Sequence, residues 1–281
     1  MSSLETFIAE FDQFCRDRDV NRILALNAPG EISGWGVEVR DTYPSRKVLE
    51  HHVHERNKRI KRAESRQHPV KIIGEKPGVC LLTKVDFTEH HFDGTTRKYA
   101  GRASWFLEWI QESWKIRHGH WSIPLGDTDG PLEFPYQAAE QGNAHERLVD
   151  AEFDSLVKWL NLRSSYMNKG DVTGLIEQFA PEGDFIVWGI CKGEEINSQN
   201  DLQTWYGKVF EKYSIFLSYY DPIAFACGDL VCLSAHGEMT ASARNSAKNF
   251  TMRPLRSTFI LKRCDGDWRI RHQHASVPIK I

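Results

Sequence analysis

Residues 114–124 read WKIRHGHWSIP and residues 268–278 read WRIRHQHASVP, so seven of eleven positions are identical at an offset of 154. The preceding stretch repeats at the same offset, RASWFL at 102–107 against RSTFIL at 256–261. Further upstream, Gly34-Trp35-Gly36 pairs with Val187-Trp188-Gly189 at offset 153, and Asp19-Val20 with Asp171-Val172 at offset 152. Matches that keep their order while the offset drifts by single residues are the mark of a tandem duplication with small loop insertions. The duplication constrains the fold strongly: whatever the first half forms, the second half must form too.

Both halves show the same coarse plan. Leu4, Phe7, Ile8, Phe11, Phe14 and Cys15 fall on one face of a first helix, as do Val149, Phe153, Leu156, Val157 and Leu160 in the second copy. Short helices are expected near 20–27 and 172–180, then a strand carrying the glycine-flanked Trp, then helices near 44–64 and 199–213. The rest reads as strands at 70–75, 79–89, 98–110 and 113–123, with counterparts at 215–226, 229–241, 250–263 and 267–278; Asp265-Gly266-Asp267 marks a tight hairpin. Helices gathered ahead of a mostly antiparallel sheet predict an α+β layer fold, made twice. Residues 126–146, rich in Gly, Pro and acidic residues, read as a linker between copy one at 1–125 and copy two at 147–281.

Three helices followed by a curved sheet whose last strand reads G-x-W-[KR]-I-x-H-x-H-x-S-x-P resemble the nuclear transport factor 2-like superfamily, and within it the SnoaL-like, ketosteroid-isomerase-like branch. The resemblance covers nearly all of both halves. It implies a cone-shaped domain whose helices and concave sheet face enclose one pocket. It also implies that a tandem chain can form an intramolecular pseudo-dimer, with further homo-oligomerisation possible. It does not choose a reaction, because the family includes isomerases, cyclases, dehydratases, epoxide hydrolases and non-catalytic binding or assembly domains.

Strict strand alternation places Trp268, Ile270, His272, His274 and Ser276 on one face, and Trp114, Ile116, His118, His120 and Ser122 likewise in copy one. Trp and Ile belong to the core, so the histidines are expected to point inward with them. Inward imidazoles in a pocket are candidates for acid–base work. The competing reading is that they only bond a neighbouring strand or the first helix and so fix the fold. His-x-His is also a chelating spacing. His236 and Glu238 could converge on it in copy two, but copy one aligns Val85 and Phe87 there, so no shared metal site is expected. Arg102 and Arg256 either bind an anion in the pocket or form cross-strand salt bridges. Trp35, Trp188, Trp205 and Tyr206 read as pocket walls or as core. Asp184 and Glu238 are the carboxylates that could partner His272 or His274. His51, His54 and Glu55 share a helix face and read as solvated, and His90-His91 as exposed next to a turn.

The formal net charge is −2 and the sequence pI is near 6.6, which gives no electrostatic reason to expect nucleic acid or a membrane surface. No apolar run is long enough to span a bilayer and the N-terminus lacks a signal-like apolar stretch, so a cytoplasmic location is expected. The six cysteines lack CxxC spacing and read as buried thiols. Phosphate-binding, dinucleotide and nucleophile-elbow motifs are missing. The favoured expectation is a cofactor-independent enzyme performing proton transfer on an apolar small molecule, with copy two the active half. The alternative is a ligand-binding or assembly module.

Overall fold

The structure, a computed structural model, describes residues 3–38, 41–126, 151–181 and 184–279. It forms two compact units, Met1–Ile123 and Pro124–Ile281. The linker expected at 126–146 lies, beyond its first residue, outside the described residues, as does Val149.

In the first unit the order is α1 (Leu4–Asp17), α2 (Val20–Ala25), β1 (Ser33–Trp35), β2 (Thr42–Tyr43), α3 (Arg46–Arg59), β3 (Ile60–Glu75), β4 (Gly78–His91), β5 (Thr96–Ile110) and β6 (Ser113–Ser122). The second unit repeats it as α4 (Ala151–Lys169), α5 (Val172–Glu177), β7 (Ile186–Trp188), β8 (Glu195–Ile196), α6 (Gln199–Lys212), β9 (Tyr213–Cys227), β10 (Leu230–Ala243), β11 (Asn249–Cys264) and β12 (Asp267–Ser276). The sheets run β2-β1-β6-β5-β4-β3 and β8-β7-β12-β11-β10-β9. All pairings are antiparallel except β1 with β6 and β7 with β12, which are parallel.

Local chemistry sets the boundaries. Ser3, Asp19, Ser45, Asp171 and Ser198 each cap a helix by accepting a backbone N–H three residues on. Asp265 and Gly266 both take positive φ, 52° and 90°, which closes the β11–β12 hairpin with a twist matching its strands. One boundary departs from the sequence expectation. The helix read as continuing to residue 64 ends at Arg59, and β3 starts at Ile60. The inward residues of that strand include Ser65 and Gln67, both buried, so an apolar alternation was not there to be read.

Each helix set covers one face of its sheet. In the first unit Phe7, Phe11 and Cys15 of α1 pack with Leu81, Val85, Ala103, Trp105, Leu107, Trp114 and Ile116. In the second, Leu156, Trp159, Leu160 and Met167 of α4 pack with Leu233, Ala235, Leu255, Phe259, Leu261, Trp268 and Ile270. Five cysteines are buried, as expected, while Cys264 is partly exposed. No described helix is long and apolar enough to cross a membrane.

Candidate functional site

Strict alternation fails along the last strand, at the same place in both copies. In the second unit Leu261 pairs with Ile270 but Ile260 pairs with His272, which leaves Arg271 as one extra residue. In the first, Leu107 pairs with Ile116 and Phe106 with His118, leaving Arg117. A one-residue bulge reverses which face the following side chains take. Trp268 and Ile270 therefore sit on the helix-covered face, as expected. His272, His274 and Ser276 share the opposite face with Ile260, Thr258 and Arg256. His118, His120 and Ser122 are displaced in the same way, beside Phe106, Ser104 and Arg102. The expectation that these histidines point inward with Trp and Ile is corrected.

The bulged arginines are anchored. Arg117 donates to the carbonyls of Pro29 (2.7 Å) and Glu31 (3.0 Å) and pairs with Glu108. Arg271 donates from Nε to the Asp184 carbonyl (2.7 Å) and pairs with the Asp184 carboxylate. Asp184 thus serves the loop before β7, with its side chain 54% exposed.

All four histidines are fully buried. The rings of His272 and His274 lie edge-on to Trp188 at 5.2 and 5.4 Å, and those of His118 and His120 edge-on to Trp35 at 5.3 and 5.1 Å. His272 donates from Nδ1 to the Ile186 carbonyl (2.9 Å). His118 Nδ1 meets Ser33 Oγ at 2.7 Å, and burial pushes its pKa down to about 3.

His236 pairs with Arg256, so it also takes the face opposite the helices, where its ring stacks on Tyr220 at 5.9 Å. Burial, with Arg256 adding to it, lowers its pKa to about 4. Glu238 pairs with Arg253 at 3.3 Å and is 35% exposed. Arg102 pairs with Lys84, as Arg256 does with His236. The copy-one counterparts of His236 and Glu238 are therefore Lys84 and Asp86, not Val85 and Phe87. Among the described residues no group of three or more His, Cys, Asp or Glu is placed to share a metal ion. His91, expected to be exposed, has a side chain 10% exposed beside Glu89 (3.3 Å).

The helix-covered face of the second unit holds a different cluster. Arg163 of α4 is 1% exposed, with its guanidinium between the rings of Phe179 and Phe259, each 5.4 Å away. It donates to Gln178 Oε1 (3.0 Å), the Tyr206 hydroxyl (2.8 Å) and Gln273 Oε1 (2.7 Å). The hydroxyl of Tyr219 lies against Arg163 and Ser257, and burial raises its pKa. Of the residues singled out in the sequence only Tyr206 belongs to this cluster, with the ring of Trp205 edge-on to it at 4.9 Å. Arg163, Gln178, Tyr219 and Gln273 were missed. A signal did exist, since Arg163 falls in the buried helical series Leu156, Leu160, Arg163, Met167.

The first unit builds a different polar centre on that face: Gln67, at the register of Tyr219, accepts from Trp105 Nε1 (2.8 Å) and Thr83 Oγ1 (2.9 Å), and its backbone N–H donates to the buried Asp12 (3.2 Å). Counting back eight residues from the caps Asp171 and Asp19 equates Arg163 with Phe11. Counting eight forward from the caps Ser198 and Ser45 equates Tyr206 with Val53. The carbonyls of Gln178 and Leu26 accept the same strand amide, from Ile270 and Ile116. Gln273 and Gly119 occupy the same register, opposite Phe259 and Trp105. Phe11, Trp105 and Trp121 fill the space with ring centroids 4.9–6.0 Å apart.

Residues 163–280 match the family described as SnoaL-like domain. No match was found among curated proteins. Solved structures similar to this chain include a nuclear transport factor 2-like superfamily protein from Salmonella enterica, with 19% identity and a TM-score of 0.41 over 45% of this chain and 91% of that one. A ketosteroid isomerase-like protein from Erwinia carotovora has 15% identity and a TM-score of 0.40 over 47% of this chain and 100% of that one. The second unit thus matches the SnoaL-like domain family over residues 163–280, and the first unit repeats its element order, strand pairing and bulge, so the chain holds two tandem copies of one fold.

Proposed function

We propose that copy two carries a small-molecule site on the helix-covered face of its sheet, and that copy one lacks the cationic centre of that site. One observation carries this reading: Arg163, Gln178, Tyr206 and Gln273 stand where copy one has Phe11, Leu26, Val53 and Gly119. A buried polar network costs stability wherever apolar side chains could pack instead. Copy one makes that apolar choice at these four positions, although it buries the neutral amide of Gln67 and Asp12 nearby, so the buried cation retained in copy two points to use.

The chemistry that such a set supports is cofactor-independent proton transfer on an apolar molecule. A guanidinium and two phenols aimed into a water-poor site stabilise an enolate-like oxyanion. Tyr206 accepts from Arg163, which leaves its own proton to donate, and burial keeps Tyr219 protonated. The second reading is binding without turnover. It rests on the buried polar residues described in the second unit, which include no carboxylate and whose imidazoles, His272 and His274, take the opposite face.

The test incubates the full chain with a panel of enolisable aromatic ketones in D2O and follows deuterium incorporation by proton NMR. Incorporation that falls about 100-fold or more in Tyr206→Phe supports proton transfer. Saturable binding without incorporation selects the second reading. Neither binding nor incorporation sinks the site altogether.

A further inference from the structure

Resting on that site, we infer that its ligand is a monocarboxylate with an apolar body, its carboxylate docking on the Arg163 guanidinium. Three observations point there. First, the guanidinium is buried without a counter-charge: no Asp or Glu among the described residues lies within ion-pair distance, and its partners Gln178, Tyr206, Gln273 and Tyr219 all offer neutral oxygens. A buried cation left in this state is costly, and an anion removes the cost. Second, two buried donors, Nε of Arg163 and Nε2 of Gln178, have no hydrogen-bond partner. Buried polar atoms are nearly always paired, so orphaned donors on two touching side chains ask for an acceptor-rich group. Because Nη2 of Arg163 already donates to Tyr206 and Gln273, a carboxylate would take one donor from Arg163 Nε and one from Gln178 Nε2, one for each oxygen. Third, the cluster lies close to the surface, since Gln273 and Tyr219 are partly exposed residues, while Phe179 and Phe259 supply apolar walls. A single cation favours a singly charged ligand over a phosphate dianion.

The inference is tested on the full chain with 15N-labelled arginine. The Nε–H signal of Arg163 is assigned by its loss in Arg163→Lys. Sodium benzoate, benzamide and inorganic phosphate are then titrated separately. Benzoate is expected to move the signal saturably and to bind at least about tenfold more tightly than benzamide, as one charge-assisted hydrogen bond implies. Phosphate is expected to leave the signal in place. Should Arg163→Lys not fold, Gln178→Leu serves instead: it must shift the same signal and weaken benzoate. Equal binding of benzoate and benzamide overturns the charge inference and leaves the small-molecule site standing. Tighter phosphate binding also overturns it. A signal that none of the three moves overturns it as well, and with the ketone panel also silent the site itself falls.

Discussion

His118 offers a sharp test of the burial argument. Its imidazole is fully enclosed, bonded to Ser33 and set edge-on against Trp35, with a pKa lowered from 6.5 to about 3. In the unfolded chain it binds a proton at its ordinary value, so between these two limits the unfolded state carries more protons. The stabilising effect of keeping this ring neutral is therefore complete above the ordinary value. It is lost as pH falls through the window toward the folded value. The slope within the window approaches about 1.4 kcal/mol per pH unit, so taking the protein from neutrality to pH 5 removes about 2 kcal/mol through this one residue. Urea unfolding of wild type and His118→Gln at both ends of that range measures it. The wild type should lose about 2 kcal/mol more than the variant across the same interval. Proton NMR gives an independent readout, since the His118 ring signals should not titrate above pH 5. Equal losses in the two proteins, or a ring that titrates near its ordinary value, would refute the argument that burial alone governs this histidine.

Further predictions follow from close contacts. In Gly119→Ala the new Cβ would lie 2.8 Å from Cζ3 of Trp105, whose indole donates to Gln67 at 2.8 Å. The strain should cost about 1–3 kcal/mol and alter the Trp fluorescence of the native state. Arg271→Ala removes the anchor on the Asp184 carbonyl and should cost about 1.5–3 kcal/mol. Amide exchange in β7 should speed up. Asp184→Asn weakens the half-exposed ion pair with Arg271, so thermal unfolding should register less than about 1 kcal/mol.

Much of the fold was legible in the chain because duplication shows every element twice. Helix 1 and the strands of the hairpins follow from apolar periodicity and turn residues, which are local signals. The start of β3 was not legible, since its inward positions carry Ser65 and Gln67 rather than apolar residues, and their burial depends on what α1 lays over them. Tyr206 was singled out from its place beside Trp205, whereas Arg163 was passed over because a lone Arg in a helix ordinarily faces solvent.

The repeated Trp-x-Ile-Arg-His-x-His strand marks the limit of such reading. By itself the sequence determined that there are two copies, that each is α+β, and that Trp and Ile of the last strand enter the core. It also held, in Phe11 against Arg163, the difference between an aromatic ring and a cation at the same place in the first helix. Only the tertiary structure decided which way the histidines point. A bulge adds one residue against the partner strand, and that is a property of the pairing between two strands, not of either one. Arg117 and Arg271 carry no glycine-like mark of it, because what holds them in place is a set of loop carbonyls and carboxylates distant in sequence.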